Sequence, residues 1–285
     1  MHIPARRRFI SLALVMGAGA AGFITSRADT PDGNPGDKRA DGLAYGDTPR
    51  QRLDVYAPDG SSAAARPVVV YLYGGSWQGG QRRDSRGVGQ ALASRGIVTI
   101  APDYRLYPET VFPGFVDDTA AAVRWTRDHA RAFGGDPQRI SVMGHSAGAH
   151  IAALVASDPR YLAAHGMSKH DLRGMIGLAG PYVALPPDEP HIGDIFPAAL
   201  RRQALPIDVI SGNEPPMLLA TGTADTVVDP ENSVRFATAL REHDDTVELK
   251  QYAGCTHDKI VDAIAAPQGA AWPVLDDVIA FIEAH

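Results

Sequence analysis

The stretch that most limits what this chain can fold into covers residues 139–156: a short apolar run, the turn Gly144-His145-Ser146-Ala147-Gly148, and an alanine-rich segment. It reads as strand, sharp turn and helix. In a G-x-S-x-G turn the glycines leave room where side chains would clash, so Ser146 projects from the strand end while Ala147 opens the helix. A serine presented this way is a candidate nucleophile. The N–H of Ala147 faces the same space, at a helix N-terminus whose dipole favours developing negative charge. The pentapeptide alone is a weak signal in a chain with 29 glycines. The rest of the chain must supply an acid, a histidine and an anion-binding loop.

The segments around it read as a parallel α/β sheet. Two edge strands are expected at 43–47 and 52–57, joined by a turn at Thr48-Pro49. Residues 68–73 are β-branched and aromatic throughout, the pattern of a strand buried on both faces. They run into Gly74-Gly75-Ser76-Trp77-Gln78-Gly79-Gly80, a loop that can offer backbone N–H groups to an anion. Helices are expected at 81–94, 115–133, 231–242 and 272–284, and strands at 96–102, 175–179, 217–222 and 247–252. Strands alternating with helices at this spacing imply a parallel sheet covered on both sides. Between 181 and 216 the prolines Pro186, Pro187, Pro190, Pro197 and Pro206 interrupt any long helix, so this segment is expected to arch over the strand ends and shape a pocket.

Residues 68–285 resemble an α/β-hydrolase of the esterase and lipase type. The resemblance rests on Tyr73-Gly74-Gly75-Ser76-Trp77, Asp103-Tyr104-Arg105-Leu106, Gly144 to Gly148, Gly222-Thr223-Ala224-Asp225 and Gly254-Cys255-Thr256-His257. These motifs are similar to those of hormone-sensitive-lipase-like carboxylesterases and of their kynurenine-formamidase-like and feruloyl-esterase-like relatives. The resemblance implies an α/β-hydrolase fold: a mostly parallel central sheet, helices on both faces and a short irregular cap. It implies the chain order Ser146, Asp225, His257 for a catalytic triad, with Gly74, Gly75 and Ala147 donating to the oxyanion. Ser76 is an alternative loop donor. Tyr73 departs from the family pattern, which has histidine there.

The residues themselves are consistent with these roles. A serine hydroxyl needs a neighbouring base, which His257 would be, and Asp225 would fix that imidazole's tautomer. Asp229 competes with Asp225 but stands directly before Pro230, where it reads as part of a helix N-cap. His145 adjoins Ser146, yet neighbours in a tight turn point apart, and His150, one turn on, reads as a packing residue. Trp77 and Ser76 are expected to line the substrate pocket. Cys255 is the only cysteine, so it forms no intrachain disulfide and reads as a small buried residue. The ten histidines show no metal-ligand spacing, so neither metal nor cofactor is expected.

The expected substrate is a small-molecule ester of short to medium acyl chain. Formamide or amide hydrolysis by the same triad and a catalytically silent binding fold are the alternatives. Net charge is −6, and residues 1–28 hold four arginines and no acid, so a chain without them is more acidic still. Nucleic acid is not an expected partner. Arg6-Arg7-Arg8-Phe9-Ile10, an uncharged run over 11–24 and Ser26-Arg27-Ala28 together read as a removable export signal, resembling the twin-arginine type. The expected organisation is signal 1–28, linker 29–42 and catalytic domain 43–285, exported and without stable membrane insertion. Gly17-Ala18-Gly19-Ala20-Ala21-Gly22 matches a dinucleotide fingerprint, but a breaker-rich segment follows where a helix is required. The oligomeric state has no signature in the sequence.

Overall fold

A computed structural model of the chain describes residues 38–60 and 64–285. The export signal and most of the linker lie outside the described residues. Eight strands form one sheet among these: β1 (Lys38–Ala44), β2 (Arg52–Ala57), β3 (Arg66–Leu72), β4 (Val98–Pro102), β5 (Gly135–His145), β6 (Leu172–Leu178), β7 (Met217–Gly222) and β8 (Val247–Tyr252). Their spatial order is β1-β2-β4-β3-β5-β6-β7-β8. β2 runs antiparallel to both its neighbours, and from β4 to β8 every pairing is parallel.

Alternation along each central strand divides the core in two, because successive side chains point to opposite faces of a sheet. Val68, Val70, Leu72, Val142, Met175 and Leu219 join one buried cluster, while Val69, Tyr71, Met143, Ile176 and Leu218 join the other. The helices are α1 (Arg86–Ser94), α2 (Gly114–His129), α3 (Ala147–Ser157), α4 (Pro159–Ala163), α5 (Ile192–Ile195), α6 (Pro206–Val209), α7 (Glu231–Glu242), α8 (Lys259–Ala265) and α9 (Val274–Ala284). Residues of α2, α3 and α7 enter the first cluster, and residues of α1, α8 and α9 the second. Both faces of the sheet are therefore covered, as an all-parallel centre requires.

Two departures from the expected elements have local causes. β1 begins at Lys38, inside the segment read as linker, and its register with β2 shifts between Ala40 and Leu43, where Gly42 has φ +67°. That irregularity breaks the period-2 pattern by which a strand is read. β5 starts at Gly135, so the Gly134-Gly135-Asp136-Pro137 stretch ends the preceding helix and already begins the strand. The 181–216 segment holds only α5, α6 and a single 3-10 turn at Ala198–Leu200, in keeping with its prolines.

Candidate active site

Ser146 sits between β5 and α3 at φ 54°, ψ −122°. That conformation costs a non-glycine residue about 1–3 kcal/mol and persists only where its surroundings enforce it. Here the enforcement is close packing. A Cβ on Gly144 would overlap the carbonyl of Gly148, and a Cβ on Gly148 would overlap the carbonyls of Leu72 and Tyr73. Both glycines thus let backbone meet backbone, while the strained dihedral falls on the serine. Its own N–H donates to the Leu178 carbonyl at 2.9 Å, tying the turn to β6.

Asp225 lies three residues beyond β7 and His257 five beyond β8, so neighbouring parallel strands deliver them to the same sheet edge. The His257 Nδ1–H donates to Asp225 Oδ2 at 2.7 Å, and both side chains are nearly inaccessible. Asp225 Oδ1 accepts from the backbone N–H groups of Val227 at 2.8 Å and Val228 at 3.0 Å. Burial pushes the Asp225 carboxyl up, but hydrogen bonds from His257, Val228 and Val227 outweigh it and hold its pKa below the ordinary value. A carboxylate that accepts from Nδ1 leaves Nε2 as the acceptor nitrogen. Asp229 is elsewhere: its Oδ1 accepts the Glu231 N–H at 3.0 Å, in the cap of α7.

Ser146, His257, Gly74, Gly75 and Ser76 line one cavity of about 450 Å³, together with Tyr73, His145 and Val227. A Cβ placed on Gly74 would lie 3.0 Å from His145 Nδ1 and 3.1 Å from Ser146 Cβ, so the glycine loop rests directly against the serine turn. Among the described residues, the N–H groups of Gly74, Gly75 and Ser76 have no backbone acceptor. Ala147 is the first residue of α3, so its N–H has no partner within the helix. A serine and a carboxylate-held imidazole on one cavity, beside unpaired N–H groups, are the parts of an acyl-transfer site.

The model of the prolyl oligopeptidase family matches residues 114–285, well over half of the chain. The chain belongs to the prolyl oligopeptidase family. A second model, BD-FAE, matches residues 53–168. Among curated relatives, this family member is 29% identical over 271 residues to isoprenylcysteine alpha-carbonyl methylesterase ICME of Arabidopsis thaliana, covering 85% of this chain and 62% of that one. Esterase LipC of Mycobacterium tuberculosis is 32% identical, over 70% of this chain and 54% of its own. The chain thus spans roughly half to three-fifths of these relatives' length. Esterase 2 of Thermogutta terrifontis, solved in its apo form, superposes with a TM-score of 0.73 at 27% identity, covering 88% of this chain and 95% of that one. The same esterase has been solved with propionate bound and with butyrate bound. With its eight-stranded, mostly parallel sheet, this prolyl oligopeptidase family member has the α/β-hydrolase fold.

One expected pocket residue is not there. Trp77 is 1% exposed, and its ring packs edge-on against His150 and Phe196 rather than lining the cavity. Ser76 and Trp77 have φ of 52° and 59°, and this left-handed step turns the indole down into the core. Composition and spacing carry no sign of such a step. His150 is a packing residue as expected, its Nε2–H donating to the Ala204 carbonyl at 2.6 Å.

The 181–216 segment divides in two. Residues 181–189 face residues 225–235 across a second cavity of about 610 Å³, lined by Pro181, Val183, Leu185 and Pro230 among others, and Val227 borders both cavities. Beyond it, Phe196 and Ala204 pack on Trp77 and His150, so this half covers the core rather than the pocket.

His145, set aside on sequence grounds, has a contact of its own. Its Nε2–H donates to the His257 carbonyl at 3.1 Å, and the two rings stand 4.6 Å apart. Burial, reinforced by His257, lowers its pKa to about 4, so it is neutral at pH 7. It ties the His257 loop to the serine turn. With Asp258 these two histidines form a group whose ligand atoms lie within 4.8 Å of one another, the described residues that could converge on a metal ion. No sequence spacing marks it, because 112 residues separate the histidines. A cation there would occupy His257 and so compete with its hydrogen-bonding role.

Proposed function

We propose that this protein hydrolyses carboxylic esters of short to medium acyl chain through an acyl-enzyme on Ser146. The 2.7 Å His257–Asp225 hydrogen bond, beside a serine strained outward into the same cavity, carries the reading. His257 Nε2 takes the Ser146 proton as Oγ bonds to the ester carbonyl carbon. Asp225 stabilises the imidazolium, and its depressed pKa keeps it ionised throughout. The carbonyl oxygen becomes an oxyanion received by N–H groups of Ala147 and of Gly74 with Gly75 or Ser76, each donor worth roughly 10²- to 10³-fold in rate. Collapse breaks the bond to the alcohol, which leaves with the proton from His257. Water, deprotonated by the same nitrogen, then releases the acid and regenerates Ser146.

The esterase names of the relatives support ester rather than amide substrates, and the propionate and butyrate complexes of the Thermogutta esterase support a short acyl group. The prolyl oligopeptidase family match favours keeping an amide reading in the test. The test is hydrolysis of p-nitrophenyl acetate, butyrate and octanoate and of N-formylkynurenine, with Ser146→Ala alongside. The acetate and butyrate are expected to turn over fastest, with the mutant lower by at least about 10⁴-fold. Faster turnover of the formamide would replace the ester reading; equal rates in mutant and parent would remove Ser146.

A further inference from the structure

The glycine loop must hold an awkward shape. Gly75, Ser76, Trp77 and Gly80 have φ of 123°, 52°, 59° and 94°. The arc returns on itself: a Cβ on Gly75 would overlap the Gly79 carbonyl, and one on Gly80 would overlap the Tyr73 ring. Its interior bonds, from the N–H groups of Gln78 and Gly79 to the Gly75 carbonyl at 3.0 and 2.8 Å, define the turn but not the position of its two feet. A left-handed run of this kind persists only if something outside it over-determines the geometry.

The Tyr107 N–H grips the middle of the arc through the Trp77 carbonyl at 2.9 Å, and a guanidinium grips its feet. Arg50, in the connection between β1 and β2, reaches both feet of the arc with a single nitrogen. Its Nη2 donates to the Tyr73 hydroxyl at 2.9 Å and to the Gly80 carbonyl at 2.9 Å. Its Nε donates to the Tyr104 carbonyl at 2.9 Å, fixing the guanidinium to the loop after β4. Tyr104 in turn stacks on Tyr73 at 4.6 Å and donates its hydroxyl to the Tyr73 carbonyl at 2.8 Å. The Tyr73 hydroxyl, accepting from Arg50, donates to Asp103 Oδ1 at 3.1 Å. Every polar atom of the Tyr73 side chain and backbone carbonyl at this foot is thus spoken for, in directions a planar fork can hold.

We propose that Arg50 is a positioning residue of the oxyanion loop: by gripping the Tyr73 hydroxyl and the Gly80 carbonyl it keeps the arc closed, with the Gly74 and Gly75 N–H groups set against Ser146. Its kinetic arm rests on the ester-hydrolysis reading; its structural arm does not. The full-length parent, Arg50→Met, Arg50→Lys and Tyr73→Phe are compared by amide hydrogen exchange and by kcat and KM on p-nitrophenyl butyrate. In Arg50→Met, exchange over residues 74–80 is expected to speed by about tenfold or more, with β5 and β6 unchanged. Its kcat is expected to fall about 10- to 100-fold with KM within about threefold, the signature of donors misplaced at the transition state. Arg50→Lys keeps the charge but not the fork and falls between. Should Arg50→Met fail to fold, Tyr73→Phe cuts the same grip from the other side and is read by the same two measures. Unchanged exchange in the loop overturns the proposal, as does an unchanged kcat or a loss confined to KM in an active parent. A parent inactive on every ester sinks the ester reading, and exchange alone then decides the role of Arg50.

Discussion

Each oxygen of Asp225 has its own task, and neither can be handed to an amide. Oδ2 accepts from His257, while Oδ1 accepts two backbone N–H groups that fix the loop after β7. In Asp225→Asn the side-chain NH₂ must face one donor set or the other, so either the imidazole tautomer or the loop is lost. On p-nitrophenyl butyrate kcat is expected to fall by about 10⁴-fold at pH 7 with KM near the parent value. A fall below about tenfold would take Asp225 out of the relay. Single residues are also where the sequence was most and least informative. Motifs put Ser146, Asp225 and His257 forward as candidates, and strand ends deliver all three to one edge of the sheet. Trp77 could not be oriented, since its direction depends on two positive dihedrals that no neighbouring residue type demands.

At the level of elements, β7, α7 and β8 occupy the residues their periodicity indicates, 217–222, 231–242 and 247–252. Short or irregular elements were the ones missed or misplaced, α4 (Pro159–Ala163) among them. β1 is interrupted by its register shift, and α8 spans only seven residues, Lys259–Ala265, directly after the His257 motif. Its apolar positions, Ile260, Ala263 and Ile264, do follow helical spacing, but across barely two turns. The cavity walls were legible only in outline, because they join loops far apart in the chain. The junction of β3, β5 and α3 is an unforgiving contact between elements. Gly148→Ala would drive a methyl into two carbonyls of the β3 end, and a loss of about 1–3 kcal/mol is expected in urea unfolding, with activity reduced in parallel. Unchanged stability would mean that α3 can shift without cost.

For the molecule as a whole, acid is the expected weakness. His145 and His150 are buried and held near pKa 4, below the ordinary 6.5, by loss of solvation. In the unfolded chain both take up protons below about pH 6.5, whereas in the folded chain neither does until about pH 4. Their contribution is therefore complete above pH 6.5 and declines as pH falls towards 4, each withdrawing about 2 kcal/mol between pH 7.5 and 5. His150→Gln should remove about half of that histidine-linked loss, measured as the difference in urea midpoint between the two pH values. An identical difference in parent and variant would assign the acid sensitivity to other groups. The sheet edge that carries Ser146, Asp225 and His257 belongs to the core, whereas residues 181–189 form one wall of the larger cavity and contribute no strand. Heredity can act on the two separately. If the proposed ester chemistry holds, drift in that wall would change which substrates fit without disturbing the sheet, so lineages sharing this scaffold are free to diverge in diet while keeping one chemistry.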